Sequence, residues 1–271
     1  MRAYLRLKTP LLKELEDTLP PREKKDNWAD QIGVDEAGRG CLAGPVVAAA
    51  ALFPINMNFE KWLPGLTDSK KLTEKQREAL VEPIIAKSVA WGIGIIWQDE
   101  IDRINILAAT HRAMSRAVLA LCSRQEEKYG ANFTLPRLSI DGNSPIPAEH
   151  WKACCQGISP GALVWEQYLP SLQSRLPARA HELPKQETIV DGDALVPAIS
   201  AASILAKTKR DEIMRCLDHF FPGYGLAQHK GYGTKEHRDI LGIKGPSLLH
   251  RRSFRLTKNG NVPEQLSLPR E

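Results

Sequence analysis

Apolar positions along this chain alternate between short runs and longer stretches of helical spacing. Ile32-Gly33-Val34 is the first run, Val46-Val47-Ala48-Ala49-Ala50-Ala51-Leu52-Phe53 the second, and Val89-Ala90-Trp91-Gly92-Ile93-Gly94-Ile95-Ile96 the third. Runs of this length bounded by turn residues predict strands. Between the second and third, Thr73-Glu74-Lys75-Gln76 starts a helix as a capping box, each side chain able to serve the other's main-chain amide. Ile101, Ile104, Leu107, Ala108, Met114, Val118 and Leu121 then recur at helical spacing and predict one amphipathic helix. Leu138-Ser139-Ile140 and Thr188-Ile189-Val190 are two further strand-like runs, and a helix is expected from about Ala198 to Phe220. Short helices and glycine turns fill the remainder up to Phe254. No internal repeat is present. An early antiparallel meander followed by strand–helix alternation predicts an α/β fold, a mixed β-sheet covered by helices.

The same patterning divides the chain. Residues 1–28 read as a helical extension (Leu5, Leu11, Leu12, Leu15) stopped by Pro20-Pro21. Residues 29–215 form the expected core, 216–255 a small basic helical lobe, and 256–271 a flexible tail. From Asp141 to Asp193 the chain runs 52 residues, and 150–186 is expected to be an insertion. Its Trp165–Leu169 and Leu172–Leu176 stretches, between Pro160-Gly161 and Pro177, are compatible with a helix. Surface loops tolerate such additions at modest entropic cost.

Three strand-like runs each end in acid. The first leads into Asp35-Glu36, the fourth into Asp141-Gly142-Asn143, and the fifth into Asp191-Gly192-Asp193. Adjacent carboxylates at a buried strand end repel one another unless something neutralises them. Mg²⁺ prefers carboxylate oxygens, and strand C-termini are where open α/β sheets place their sites. Four carboxylates from three strand ends can hold two ions, which clamp the attacking and leaving oxygens of an in-line displacement. Gly38-Arg39-Gly40 follows the first pair. It allows close backbone approach and supplies a cation for phosphate.

These residues resemble a family. Asp35-Glu36-Ala37-Gly38-Arg39-Gly40, Asp68-Ser69-Lys70-Lys71-Leu72, Asp141-Gly142-Asn143, Ile199–Lys207 with Arg210-Asp211, His229–Thr234, and Gly245-Pro246-Ser247 with His250–Phe254 match type 2 ribonuclease H, known in bacteria as ribonuclease HII. The resemblance implies the ribonuclease H-like three-layer fold with a small helical C-terminal lobe. It implies hydrolysis of the RNA strand of RNA–DNA hybrids and incision 5′ to single ribonucleotides in duplex DNA. Asp35, Glu36, Asp141 and Asp193 would hold Mg²⁺ or Mn²⁺ in a two-metal mechanism leaving 3′-hydroxyl and 5′-phosphate ends. Asp193 is selected over Asp191 by the following Pro197–Ser203 alignment. Strand alternation would put both acids on one face, so Asp191 stands as an extra acid able to share or tune the site. Gly38, Arg39 and Gly40 would grip the ribonucleotide, and Tyr232 would stack on the sugar of the next, deoxy, nucleotide. Ser69, Lys70, Asn105, Ser203, Lys207 and Arg210 are the expected phosphate contacts, the last three sharing one helix face. His111, His229 and His237 are read as structural or phosphate-contacting. Three rivals fit less well. A transposase or junction resolvase lacks the Gly38-Arg39-Gly40 and Gly231-Tyr232 pair. Type 3 ribonuclease H carries an extra N-terminal domain, whereas 28 residues precede the core here. A non-catalytic hybrid binder has no use for four intact acids.

Charge agrees with a nucleic-acid partner. The 271 residues carry a net +5, and Leu205 to Arg255 alone holds 11 Lys/Arg against 5 Asp/Glu, a net of +6. A basic lobe beside an acidic cluster is an expected footprint of nucleic acid. The five cysteines, Cys41, Cys122, Cys154, Cys155 and Cys216, form no CxxC pair, which excludes a disulfide framework or zinc site and fits a reducing cytoplasm. No run is long enough to span a bilayer, and a monomer without membrane contact is expected. The tail ends in Gln265-Leu266-Ser267-Leu268-Pro269, which resembles the bacterial sliding-clamp motif through Gln265, Leu266 and Leu268.

Overall fold

The computed structural model describes residues 28–55, 57–129, 135–156 and 182–256. The extension, most of the expected insertion and the tail lie outside them. Five strands form one sheet: β1 (Trp28–Ala37), β2 (Val46–Pro54), β3 (Ala90–Ile96), β4 (Arg137–Asp141) and β5 (Gln186–Ile189). Their order is β3-β2-β1-β4-β5. β1, β2 and β3 are antiparallel neighbours, whereas β4 and β5 add parallel to β1 on its other side. The chain therefore leaves β1 in one direction and returns to it from the other. Such a reversal opens a crevice at the strand C-termini.

Helices cover both faces. On one lie α4 (Ile106–Tyr129) and α5 (Ala148–Cys155), packed on the even positions of β1 and β2 through Ile32, Val34, Ala48 and Ala50 against Ala113, Ala117, Val118 and Trp151. On the other lie α2 (Glu74–Lys87) and α7 (Pro197–Phe220), where Val47, Ala49, Ala51 and Phe53 meet Ile84, Ala201, Ala202 and Leu205. Alternation along each strand sorts the two cores. The small side chains of β2 let both layers close tightly.

The remaining helices are short: α1 (Phe59–Trp62), α3 (Gln98–Ile104), α6 (Gly192–Leu195), α8 (Leu226–His229) and α9 (Lys235–Lys244). The last two form the C-terminal lobe, closed by Leu42, Leu241 and Leu256. The expected capping box is present: Gln76 N–H donates to Thr73 Oγ1 and Thr73 N–H to Gln76 Oε1.

Two expectations are corrected. The single helix expected across Ile101 to Leu121 is two, broken at Asn105, whose φ is +71°. Asn105 Oδ1 accepts from Ala108 N–H at 3.0 Å, so this exposed side chain, expected on phosphate, also starts α4. Leu107 consequently points out, 44 % exposed. The fifth run also ends early. β5 stops at Ile189, Asp191 adopts a left-handed conformation with φ 54°, and Asp193 lies in α6. The two acids therefore do not share a strand face.

Candidate active site

β1 and β4 are parallel neighbours with Val34 opposite Ile140, so their C-termini bring Asp35 beside Asp141. Asp193 joins them from α6. One carboxylate oxygen from each of Asp35, Asp141 and Asp193 lies within 4.8 Å of the others. Asp193 is held there twice: its N–H donates to Asp141 Oδ1 at 3.3 Å, and its carbonyl accepts from Ser200 Oγ at 2.6 Å. Gly192 permits this approach, since a Cβ there would sit 3.2 Å from Asp141 Oδ1 and 2.7 Å from Ile199 Cδ1. Asp191 is exposed on the outside of the same turn.

Glu36 stands beside this triad rather than in it. The pleat turns it to the opposite face of β1, where Oε1 pairs with Arg39 Nη1 at 3.3 Å. Its N–H donates to Asp35 Oδ1 at 2.6 Å.

The cluster is electrostatically strained. Asp35, 4 % exposed, has its pKa pushed well above the usual carboxylate range, first by burial and then by the charge of Glu36, against a hydrogen bond from Ser203. Burial also raises Glu36, opposed by Arg39. Burial raises Asp193 as well, opposed by Lys70, whose Nζ donates to Asp193 Oδ2 at 3.1 Å. Lys70 is itself raised by that bond. Buried carboxylates that repel one another and present only oxygen donors fit a hard divalent cation.

The expected phosphate contacts separate into two groups. Arg39 and Lys70 are exposed, each resting on one acid. Ser69 and Ser203 are buried with their hydroxyls 2.8 Å apart, supporting Asp35 from behind. Lys207 Nζ is 2.7 Å from Asp211 Oδ1 and lies over the Tyr232 ring. Arg210 is corrected outright. It is fully buried, and its guanidinium donates to the carbonyls of Pro45, Lys230 and Ala43 at 3.0, 2.8 and 3.1 Å. Buried beneath the loop, it does not reach a phosphate at the surface.

Arg251 does the same from the lobe. It donates to the carbonyls of Gly44, Arg39 and Gly38 at 3.0, 2.8 and 2.8 Å. Nothing in the sequence separates this arginine from its exposed neighbour Arg252. Tyr232, 39 % exposed, sits on the following turn. Leu42 N–H donates to Gly231 O at 2.8 Å and joins that turn to the Gly38–Gly44 loop.

Comparison with known proteins decides the family. A family model described as Ribonuclease HII matches residues 32–146 and 168–257. The chain belongs to the ribonuclease HII family. It is 48 % identical over 237 residues to a ribonuclease HII of Nitratidesulfovibrio vulgaris, covering 87 % of this chain and 91 % of that one. Among solved structures, the ribonuclease H2 of Pyrococcus horikoshii OT3 superposes with a TM-score of 0.57 at 23 % identity, over 85 % of this chain and 96 % of that one. The ribonuclease HII of Archaeoglobus fulgidus, solved in complex with PCNA, gives 0.57 at 20 % identity with the same coverage. These two share the fold. Members of the ribonuclease HII family are metal-dependent endonucleases that hydrolyse the RNA of RNA–DNA hybrids, and this chain is such an enzyme. The family match skips 147–167 and resumes inside the expected insertion. Among the described residues no helix is long and apolar enough to cross a membrane.

Proposed function

We propose that this enzyme incises duplex DNA 5′ to a single embedded ribonucleotide, in addition to cutting the RNA strand of hybrids. The observation that carries this reading is the direction of the Gly38-Arg39-Gly40 peptides. The carbonyls of Gly38 and Arg39 point inward onto Arg251. In a trans peptide the N–H lies opposite the C=O, and no peptide is cis among the described residues. The amides of Arg39 and Gly40 therefore face solvent. Two fixed donors suit a ribose 2′-hydroxyl, the group that distinguishes RNA from DNA at one position. Tyr232, tied to the same loop through Gly231, offers an aromatic face to the adjoining deoxy sugar.

Asp35, Asp141 and Asp193 would hold Mg²⁺ or Mn²⁺, with Glu36 as the fourth carboxylate, and the bound ions would stabilise the attacking and leaving oxygens so that 3′-hydroxyl and 5′-phosphate ends result. Lys70 and Arg39 are cationic and exposed beside these acids, ready to meet phosphate. Ser200 and Ser203 hold Asp193 and Asp35 in place.

The test is a labelled DNA duplex carrying one ribonucleotide. Cleavage on its 5′ side, with no cleavage of the all-DNA duplex, is expected. Equal cleavage of both, or a requirement for several consecutive ribonucleotides, would sink the proposal.

The tail supports a partner. Gln265-Leu266-Ser267-Leu268-Pro269, outside the described residues, is proposed to dock on a sliding clamp, and the Archaeoglobus fulgidus relative is solved with PCNA. Burying each leucine contributes roughly 1.5–3 kcal/mol, less the cost of ordering a free segment, so micromolar-class binding is expected. Deleting residues 264–271 should abolish clamp capture in a pull-down while leaving cleavage of short duplexes unchanged. Equal capture by both proteins, or by neither, counts against it.

A further inference from the structure

Two arginines are fully buried under the loop between β1 and β2, and neither has a carboxylate within 4 Å among the described residues. Taking a cation out of water without a counter-charge costs several kcal/mol. Burial and the charge of Arg210 push Arg251 down to about 10, still cationic at neutral pH. Stability alone gives no reason to place two like charges here, and rules broken in this way concentrate at functional sites.

What the pair achieves is control of one loop. Together they draw in six carbonyls, those of Gly38, Arg39, Ala43, Gly44, Pro45 and Lys230. Arg251 takes the two that decide where the Arg39 and Gly40 amides point. Arg210 ties the far end of the loop to the turn that carries Tyr232, through Lys230. Gly38 makes the arrangement possible: its φ is +95°, and a Cβ there would fall 2.0 Å from Arg210 Nε. A guanidinium on the carbonyl side also polarises the peptide, which strengthens the N–H on its other edge.

We propose that Arg251 is a positioning residue for ribonucleotide recognition, its fork orienting the Arg39 and Gly40 amides toward the 2′-hydroxyl without itself touching the nucleic acid. The inference rests on the reading of those amides given under the proposed function. Geometry makes arginine necessary. Three carbonyls in different directions need a rigid planar fork, which a lysine ammonium on a flexible stem cannot reproduce.

The experiment uses the full chain and three variants: Arg251→Lys, Arg251→Met and Leu241→Ala. Leu241 is fully buried in the lobe core, where it packs with Leu42 of the loop, so its truncation loosens the apolar packing of lobe and loop but leaves the Arg251 fork in place. Binding is measured by fluorescence anisotropy with Ca²⁺ as the only divalent ion, on a DNA duplex with one ribonucleotide and on the same duplex without it. The readout is the ratio of the two dissociation constants. Wild type should prefer the ribonucleotide duplex. Both Arg251 variants should lose about tenfold of that preference, the worth of one to two well-placed hydrogen bonds, with affinity for all-DNA duplex unchanged within about twofold. Leu241→Ala should keep the preference although its thermal midpoint falls. Because Arg251→Lys retains the charge and the volume, it stands in if Arg251→Met does not fold. Retention of the preference in the folded Arg251 variant, or an equal loss in Leu241→Ala, overturns the inference while the parent reading survives. Absence of any preference in the wild type overturns the parent reading and this inference with it.

Discussion

At the scale of the residue, carboxylates from two strands and a short helix meet at one point, with Glu36 beside them. Asp35-Glu36 and Asp141 follow apolar runs that do become strands, so the C-terminal ends of neighbouring parallel strands bring Asp35 and Asp141 together as the pattern implied. Asp193 reached the cluster by another route. The strand stops at Ile189, and a left-handed Asp191 turns the chain so that α6 carries Asp193 inward. Asp191-Gly192 is itself a turn signal, aspartate being among the residues that tolerate the left-handed region, and strand alternation carried past it misplaces Asp193. The outcome separates the two acids sharply: Asp193 is 3 % exposed against Asp141, while Asp191 faces solvent. Asp193→Asn should therefore cut kcat by roughly 10²-fold or more, since losing one ligand of a metal clamp costs several kcal/mol of transition-state stabilisation. Asp191→Asn should stay within about threefold of wild type, as surface changes away from such features do. Steady-state kinetics in Mg²⁺ checks both, and the reverse ranking would show that Asp191 is the metal acid. The arginines were less legible still. Arg210 shares a helix face with Ser203 and Lys207, which suggested a strip along the phosphates, but helix position alone does not say whether a neighbouring loop will fold over it.

At the scale of the element, strands and caps are legible in the sequence because their signals are local. The capping box at Thr73 and the alanine-rich run of β2 depend on nothing distant. The break at Asn105 escaped because Ile101, Met114 and Val118 keep one apolar stripe across both helices, so the spacing looks continuous. Glycines in strands carried a signal of another kind, the close approach of a second backbone. A Cβ at Gly33 would lie 2.1 Å from Ala198 C and 2.4 Å from Ile199 N, and Cβ atoms at Gly92 and Gly94 would lie 2.0 Å from the carbonyls of Ala117 and Ala113. Both main helices thus rest directly on the sheet at glycine notches. The start of α7 also carries Ser200 and Ser203, which brace Asp193 and Asp35. Gly33→Ala should lift that helix off β1, with a loss at the upper end of about 1–3 kcal/mol typical of overpacking, and lower kcat along with stability. Gly242→Ala is the contrast. It lies within α9, nothing stands within 4 Å of its added Cβ, and replacing a helical glycine should stabilise by roughly 0.5–1 kcal/mol. Urea unfolding of the two variants tests the pair, and a neutral Gly33→Ala would refute the notch.

At the scale of the whole molecule, the basic C-terminal segment folds over the loop beside the acid cluster, and three histidines lock its interior. Ser247 N–H donates to His250 Nδ1 at 2.9 Å, which fixes the proton of neutral His250 on Nε2. That proton faces His237 Nε2 at 3.0 Å, leaving His237 Nδ1–H to donate to Tyr232 O at 2.9 Å. The relay works only if both rings are neutral, because a second proton between them would set two donors face to face. Burial, then the neighbouring histidines, pushes His250 down to about 3; burial, with the His229 and Arg238 charges nearby and against the Tyr232 carbonyl bond, pushes His237 down to about 4. An unfolded histidine titrates near 6.5. Between about pH 6.5 and 4 the unfolded chain therefore binds protons that the native chain refuses, and stability falls as pH falls, by up to about 1.4 kcal/mol per pH unit for each histidine. Above that window the two rings contribute no slope. The raised carboxyls of Asp35, Glu36 and Asp193 act in the opposite sense, since the native state takes up their protons first. Saturating Mg²⁺ holds them ionised and removes that opposing contribution. Urea unfolding in Mg²⁺ at pH 7.5, 6 and 5 should show a flat upper limb and a steep loss below pH 6.5. His237→Phe, less stable at pH 7.5 because Tyr232 O and His250 Nε2 lose their partner, should show a shallower slope. A wild-type curve that stays level from pH 7.5 to 5 would mean that these rings accept protons within the folded lobe, and the neutral relay beneath Tyr232 would have to be abandoned.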